Sequence, residues 1–242
     1  MNMDIPSPFA GLLQRLITTI YPPRCVLCSN PGFDDKDICE LCYHDLPWIE
    51  SACIQCAIPL ASHNGDQLRC GQCLQKPPAF DYSMSLFSYE TDTIKLVHQL
   101  KFNEKLAYSR LLGSMLADAV IRYGAELPDC ILPVPLYKKR LRQRGFNQSL
   151  ELARPIANTF NIPLDVQSVK RALDTQSQTG LNKKQRRKNI RGAFQIVQPL
   201  NAQHIAIIDD VVTTTSTVNE LARILKRAGA ERVDIWSIAR AV

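Results

Sequence analysis

Ile205-Ala206-Ile207-Ile208-Asp209-Asp210-Val211-Val212-Thr213-Thr214-Thr215-Ser216-Thr217 is the stretch that decides the fold. Four apolar residues in a row suit a short parallel strand buried on both faces. Two carboxylates then stop it. Behind the five hydroxyl residues, Val218, Leu221, Ala222 and Leu225 recur at the spacing of an amphipathic helix running from Thr217 to Ala228. The layout is that of a phosphate site. Backbone N–H groups at a helix N-terminus lack intrahelical partners, the helix dipole favours an anion there, and hydroxyls add donors. Asp209 and Asp210 are placed to accept hydrogen bonds from sugar hydroxyls or to help hold a divalent cation. The competing reading is a strand followed by a capped helix, with Thr and Ser serving only as caps.

The pattern resembles the phosphoribosyl pyrophosphate (PRPP) signature of type I phosphoribosyltransferases. That resemblance makes Asp209, Asp210, Thr213, Thr214, Thr215, Ser216 and Thr217 the candidate PRPP-binding residues. The family usually carries Gly where this chain has Thr215. Gly lets a backbone approach phosphate with no Cβ in the way, so Thr215 is the point of departure.

Upstream, eight of the nine cysteines form four C-x-x-C pairs: Cys25/Cys28, Cys39/Cys42, Cys53/Cys56 and Cys70/Cys73. Each pair presents two thiolates to one metal, and two pairs complete a tetrahedral sulfur site suited to Zn²⁺. Sequential pairing, first with second and third with fourth, gives two zinc ribbons in tandem; cross-braced pairing is the other arrangement. A disulfide scaffold fits a secreted chain, and no signal-peptide pattern heads this one. A redox pair calls for one C-x-x-C at a helix start, and the spacing is not that of a ferredoxin run. Fully sulfur-ligated zinc has no open position for chemistry, so its expected role is structural. Cys130, within Cys130-Ile131-Leu132, reads as a small buried hydrophobe.

Composition bounds the rest. With 242 residues, 45% hydrophobic and 21% charged, the chain reads as an ordinary globular protein without a membrane-inserted segment, expected in the cytoplasm. Leu12, Leu13, Leu16, Ile17 and Ile20 follow helical spacing, which predicts an amphipathic helix within residues 1–22 rather than a targeting sequence. A cysteine-rich module over 23–78 follows, and an α/β domain over 79–242. The formal charge of +6 is unevenly spread: from Asp81 onward there are 24 Lys and Arg against 15 Asp and Glu, a net of +9. Attraction for a polyanion therefore lies in the C-terminal part.

In that part, Tyr82 to Tyr89 alternates as a strand, and Ile94, Val97, His98 and Phe102 mark one face of a helix. A second helix runs from Leu106 to Tyr123. Ile131 to Leu136 reads as a strand ended by prolines, and the helix after it covers Ser149 to Asn158. Between them Lys138, Lys139, Arg140, Arg142 and Arg144 place five cations in seven positions. Charge runs are usually solvated faces, yet a strand end in a parallel sheet is where ligands bind, so this run reads as a basic loop for pyrophosphate or nucleic acid. A second polar segment, Thr175 to Phe194, brings Arg186, Arg187 and Arg191 and reads as a long loop, functional or disordered. Arg232 to Ala239 alternates as a last strand.

Taken together the chain resembles the ComF family of bacterial competence proteins. The resemblance is carried by the tandem C-x-x-C pairs, by Arg140-Leu141-Arg142-Gln143-Arg144-Gly145-Phe146-Asn147-Gln148, by Arg186 to Phe194 and by Asp209 to Thr214. It implies a zinc-ribbon module joined to a type I phosphoribosyltransferase-like parallel sheet. It further implies a cytoplasmic role in natural transformation and DNA uptake, handling single-stranded DNA beside a helicase-like partner. Zn²⁺ is the implied structural ion, and Mg²⁺ accompanies PRPP. Two readings from different classes stand: a nucleic-acid binder that keeps the PRPP site, or an active phosphoribosyltransferase with an unidentified acceptor. In the second, positioning and electrostatic stabilisation suffice without a protein nucleophile.

Overall fold

A computed structural model of the chain describes residues 22–61, 68–102, 106–173 and 190–242. The amphipathic helix expected near the N-terminus lies outside the described residues, as does most of the second basic segment with Arg186 and Arg187. Packing divides the chain into two compact units, Met1–Leu46 and Pro47–Val242.

In the first unit the backbone is pinned by isolated bridges, Arg24 to Pro31 and Phe33 to Lys36, and by the one-turn helix α1 (Glu40–His44). Phe33 meets Tyr43 edge-on, with ring centroids 5.4 Å apart. Such a short piece buries too little surface to fold on apolar contacts alone, which is why its four cysteines matter.

The second unit is built on a parallel sheet in the order β1-β6-β5-β2, where β1 is Tyr82–Ser88, β2 Cys130–Pro133, β5 His204–Val212 and β6 Arg232–Arg240. Its central strands are nearly continuous apolar runs because both faces are covered. Ile205, Ile207, Val233 and Ile235 pack in one cluster with Val218, Leu221 and Leu225 of α7 (Ser216–Arg227). Strand alternation turns Ala206, Ile208 and Trp236 to the other face. Three more helices precede β5: α3 (Thr91–Phe102), α4 (Leu106–Arg122) and α6 (Gln148–Phe160). On α4 the predicted inward residues Leu111, Leu112, Met115, Leu116 and Ala119 are all buried. Gly113 lets α4 and α6 touch, for a Cβ there would stand 2.7 Å from the Leu152 carbonyl oxygen. On α3 the buried face is Thr93, Leu96, Val97 and Leu100, while Ile94 and His98 face outward. The expected face was one position out of register, since apolar residues on α3 fall on more than one side. A small antiparallel pair, β3 (Val169–Arg171) with β4 (Phe194–Ile196), stands apart from the main sheet.

The second cysteine group belongs to this unit. Gly71–Gln75 forms α2, Ala52 bridges Pro59, and the backbone before it runs along the outer edge of β1. Ile49 N–H donates to Leu86 O at 2.9 Å, Ser88 N–H to Pro47 O at 2.9 Å, and Ser83 N–H to Ile54 O at 2.9 Å. The ribbon thereby caps an edge that would otherwise offer unpaired backbone groups.

Candidate phosphate site and metal centres

The deciding strand is longer than its apolar run. Asp209 pairs with Ser237, Val211 with Ala239 and Val212 with Arg240, so β5 carries both carboxylates inside the ladder and ends only at Val212. The acidic pair was expected to end the strand; β6 runs on beside it, and backbone pairing outweighs the poor strand propensity of Asp. Thr213, Thr214 and Thr215 make the turn, and α7 begins at Ser216.

Thr215 takes φ 59°, ψ −2°, the left-handed conformation that glycine adopts without cost. Its hydroxyl donates to the Thr214 carbonyl at 2.6 Å and caps nothing in α7. Thr214 Oγ1 and Ser216 Oγ lie 3.0 Å apart. Asp209, Val211, Val212 and the loop from Thr213 to Val218 line a concavity of about 20 Å³, enough for one water-sized group. A phosphate there would seat one oxygen and leave the remainder above the loop.

Beside the loop stand the carboxylates and their partners. Asp209 Oδ1 accepts from Asp210 N–H at 3.0 Å and from Ser149 Oγ at 3.4 Å, Ser149 being held at the head of α6. Burial, reinforced by the Asp210 charge, lifts the Asp209 carboxyl to about 7. Asp210 is ion-paired with Lys101 of α3 at 3.0 Å. Burial alone would weaken the Lys101 ammonium, but Asp210 overrides it and raises the pKa. Lys101 and Ser149 are the residues that sequence reasoning missed.

The basic run Lys138 to Arg144 is a short helix, α5 (Lys138–Arg144), rather than the loop its charge pattern predicts, and is closed by Gly145 at φ 77°. Lys, Arg, Leu and Gln are all good helix formers, and the left-handed Gly supplies the stop. Helical geometry sorts the cations. Arg140 and Arg144, four apart on one face, are half-buried, while Lys138, Lys139 and Arg142 are exposed. Burial lowers the Arg144 pKa, against the pull of Asp210 and with the repulsion of Arg140, which places Arg144 in the field of Asp210 and Arg140 close to Arg144. The motif residue Asn147 then fixes the turn into α6: its Oδ1 accepts from Ser149 N–H at 3.1 Å and its Nδ2 donates to Val134 O at 3.1 Å.

Arg191 is exposed next to the anchored end of the second basic segment, where Gly192 N–H donates to Glu220 Oε1 of α7 at 2.9 Å. A cavity of about 850 Å³ opens on the flank of α5, with Tyr137, Phe146, Asn147, Lys170, Arg171 and Gln195 in its wall. A larger one, about 1050 Å³, lies at the opposite ends of the strands, beside Glu50, Asp81, Glu126 and Glu231. Its acidic wall and its position below the sheet set it apart from the phosphate chemistry, because ligands of such sheets bind at the carboxyl ends of the strands.

The cysteines gather as sequential pairing predicts. The sulfurs of Cys25, Cys28, Cys39 and Cys42 all lie within 4.8 Å of one another, and so do those of Cys53, Cys56, Cys70 and Cys73. Zn–S bonds of about 2.3 Å at tetrahedral angles place sulfurs about 3.8 Å apart. Cys28 and Cys39 sulfurs are 3.5 Å apart, and Cys56 and Cys70 sulfurs 3.7 Å, so both groups fit Zn²⁺. Ionisation follows the same logic. Despite burial, backbone N–H groups bring Cys25 down to about 6 and Cys53 to about 7, whereas burial and neighbouring thiols push Cys42 and Cys73 up. A bound divalent cation removes that mutual repulsion and holds all four as thiolates. Cys130 is buried and its thiol is pushed up to about 11 by burial, as befits a core residue.

Among the described residues no helix is long and apolar enough to cross a membrane. Residues 16–74 match the double zinc ribbon domain, and residues 147–241 the phosphoribosyl transferase domain. DNA utilization protein YhgH of Salmonella typhimurium is 38% identical over 224 residues, covering 90% of this chain and 97% of that protein. The Escherichia coli K12 protein of the same name is equally similar, at 38% over the same coverage. Competence protein F of Haemophilus influenzae is 31% identical over 231 residues, again with 90% and 97% covered. A purine phosphoribosyltransferase from Pyrococcus horikoshii resembles the chain at a TM-score of 0.33 and 17% identity, over 54% of this chain and 84% of that one. With relatives matched along almost their whole length, and both a double zinc ribbon and a phosphoribosyltransferase domain in one polypeptide, the chain belongs to the ComF family.

Proposed function

We propose that this protein binds PRPP and single-stranded DNA in the cytoplasm and serves DNA uptake or the use of incoming DNA, beside a helicase-like partner. The observation that carries the reading is one site: the carboxylates of Asp209 and Asp210 next to the Thr213 to Ser216 turn, with Arg144 in the field of Asp210 and Arg140 beside it on α5. A 5′-phosphate sits on Thr213, Thr214, Thr215, Ser216 and Thr217; ribose hydroxyls reach Asp209 and Asp210. The α5 cations take the pyrophosphate or a nucleic-acid backbone. Mg²⁺ enters as the counter-ion of PRPP. The names of the relatives, DNA utilization protein and competence protein F, support the DNA role.

Calorimetric titration with PRPP, with and without MgCl₂, tests the site. Asp209→Ala together with Asp210→Ala is expected to abolish the heat of binding, and unchanged affinity would remove the sugar site. Fluorescence anisotropy of a labelled oligonucleotide tests the DNA arm. Replacing Arg140, Arg142 and Arg144 should lower the salt slope of single-strand binding by about 2, at roughly 0.7 per phosphate contact. The cavity of about 850 Å³ beside α5, with aromatic and amide groups in its wall, favours a second reading in which an acceptor base lies there and phosphoribosyl transfer occurs. Release of pyrophosphate from PRPP on adding a base or oligonucleotide separates the two.

A further inference from the structure

Arg240 ends β6 with a side chain that is 6% exposed. Its guanidinium donates from Nε to the Cys56 carbonyl at 2.8 Å, and from Nη1 to the carbonyls of Val212 (3.1 Å), Thr213 and Ala241. All four of these acceptors are carbonyl oxygens, and they compensate a buried charge. The acceptors are informative. Cys56 belongs to the second sulfur group, whereas Val212 and Thr213 open the phosphate loop. Two further ties run the same way. Asn219 Oδ1 in α7 accepts from Ala79 N–H at 2.7 Å, just beyond the ribbon. Cys53, Cys56 and Cys73 share an apolar cluster with Val212, Val218 and Leu221.

Peptide geometry gives the contact a direction. In a trans peptide C=O and N–H point oppositely, so drawing the Val212 and Thr213 carbonyls onto Arg240 turns the Thr213 and Thr214 N–H groups the other way. On the ribbon side, Ala57 is held at φ 54°, a conformation an alanine does not keep unaided. Ala57 N–H donates to Cys53 O at 2.8 Å within the knuckle, which fixes the Cys56 carbonyl.

We propose that Arg240 is a positioning residue that couples zinc in the second ribbon to ligand binding on the phosphate loop. Zinc fixes the Cys56 carbonyl, that carbonyl fixes the guanidinium, and the guanidinium fixes the loop peptides. The coupling rests on the reading of Thr213 to Ser216 as a phosphate site. Because linkage is reciprocal, a ligand on the loop slows zinc loss from the ribbon.

The test uses the full-length, zinc-loaded protein, Arg240→Gln and Arg240→Lys, with PRPP as probe. PRPP affinity is measured by calorimetry, and zinc release by a chromophoric chelator with and without PRPP. In the wild type, saturating PRPP slows one zinc about tenfold. In Arg240→Gln, PRPP affinity falls tenfold or more, as expected for lost charged hydrogen bonds, and the protection of zinc disappears. Arg240→Lys keeps the charge with fewer donors and restores part of both effects; should Arg240→Gln not fold, the same two ratios are read on Arg240→Lys. A merely structural arginine would lower the melting temperature but leave the ratio of zinc-release rates with and without PRPP unchanged, and that result overturns the proposal. If the wild type binds no PRPP, the phosphate-site reading falls on its own. Arg240 is then judged by zinc alone: faster release from ligand-free Arg240→Gln supports the link to the ribbon, and release at the wild-type rate refutes it.

Discussion

Thr215→Gly is the sharpest probe of the loop, because opposing effects act at one residue and their sizes follow from its geometry. At φ 59° an L-residue sits about 1–2 kcal/mol above its preferred conformation. Glycine removes that cost. Against it stand the hydrogen bond from Thr215 Oγ1 to the Thr214 carbonyl, worth roughly 0.5 kcal/mol at a half-buried position, and the extra freedom of unfolded glycine, roughly 0.5–1 kcal/mol. The balance runs from a loss of about 0.5 kcal/mol to a gain of about 1 kcal/mol, centred slightly on the side of the relief expected at positive φ. Thr217→Gly is the control. Two residues on, inside the first turn of α7, the same substitution relieves nothing and costs about 0.5–1 kcal/mol. The two variants should therefore differ by about 1 kcal/mol, or about 2–4 °C in Tm for a unit of this size. Differential scanning calorimetry reads the difference directly. If Thr215→Gly melts lower than Thr217→Gly, the Thr215 side chain contributes packing or hydrogen bonding beyond the contacts counted above, and the strain argument is wrong. With the Cβ gone, PRPP affinity should hold or rise.

The remaining expectations concern charge and metal. Since Asp209 is raised to about 7 in the folded protein from near 3.9 in the unfolded chain, the native state holds an extra proton between about pH 4 and 7. Its contribution to stability is complete below pH 4 and is lost as pH rises through 7. Asp209→Asn should flatten that part of the urea-unfolding profile and stabilise the protein above pH 7 by up to about 4 kcal/mol; parallel pH profiles for wild type and variant would rule it out. Lys101→Met strips the cation from Asp210 and should cost about 1–2 kcal/mol, less than for a fully buried pair, while strengthening Mn²⁺ binding measured by electron paramagnetic resonance. Unchanged Mn²⁺ affinity would show that Lys101 does not compete for the carboxylate. Cys70→Ser should leave one zinc per chain by metal analysis, held by Cys25, Cys28, Cys39 and Cys42 in the other compact unit, and should lower the Tm of the sheet-bearing unit. Retention of two zinc ions would contradict the ligand assignment.

What could be read from sequence was what repeats or contrasts locally. The C-x-x-C spacing announced both sulfur groups, and the apolar run of Ile205 to Ile208 followed by hydroxyls announced a strand, a turn and a helix start. Charge misled at α5, where five cations in seven positions hid a helix whose residues all favour one. The other misses are contacts between distant residues. Ser149 reaches Asp209 across 60 positions and Arg240 reaches Cys56 across 184, separations that no periodicity encodes. A weak signal did exist for Arg240. A strand reading Ile235-Trp236-Ser237-Ile238-Ala239-Arg240 buries what it carries, and a cation at its end needs acceptors inside the fold.

The charge balance also decides what the loop site takes first. Two acidic residues side by side suggest a metal-binding strand end when read alone. In the fold they are answered by Lys101, ion-paired with Asp210, and by Arg144, on which Asp210 pulls, so with both carboxylates ionised the charges of this group balance. The raised Asp209 pKa leaves that carboxylate partly protonated near neutrality and tips the balance to positive. A free divalent cation arriving at this site meets repulsion and an occupied Asp210, whereas a phosphate ester meets attraction and a helix N-terminus. In the proposed function Mg²⁺ therefore enters already bound to PRPP rather than ahead of it. The order is open to test: Mg²⁺ alone should give no binding heat, and PRPP affinity should depend on Mg²⁺ only through the concentration of the preformed complex.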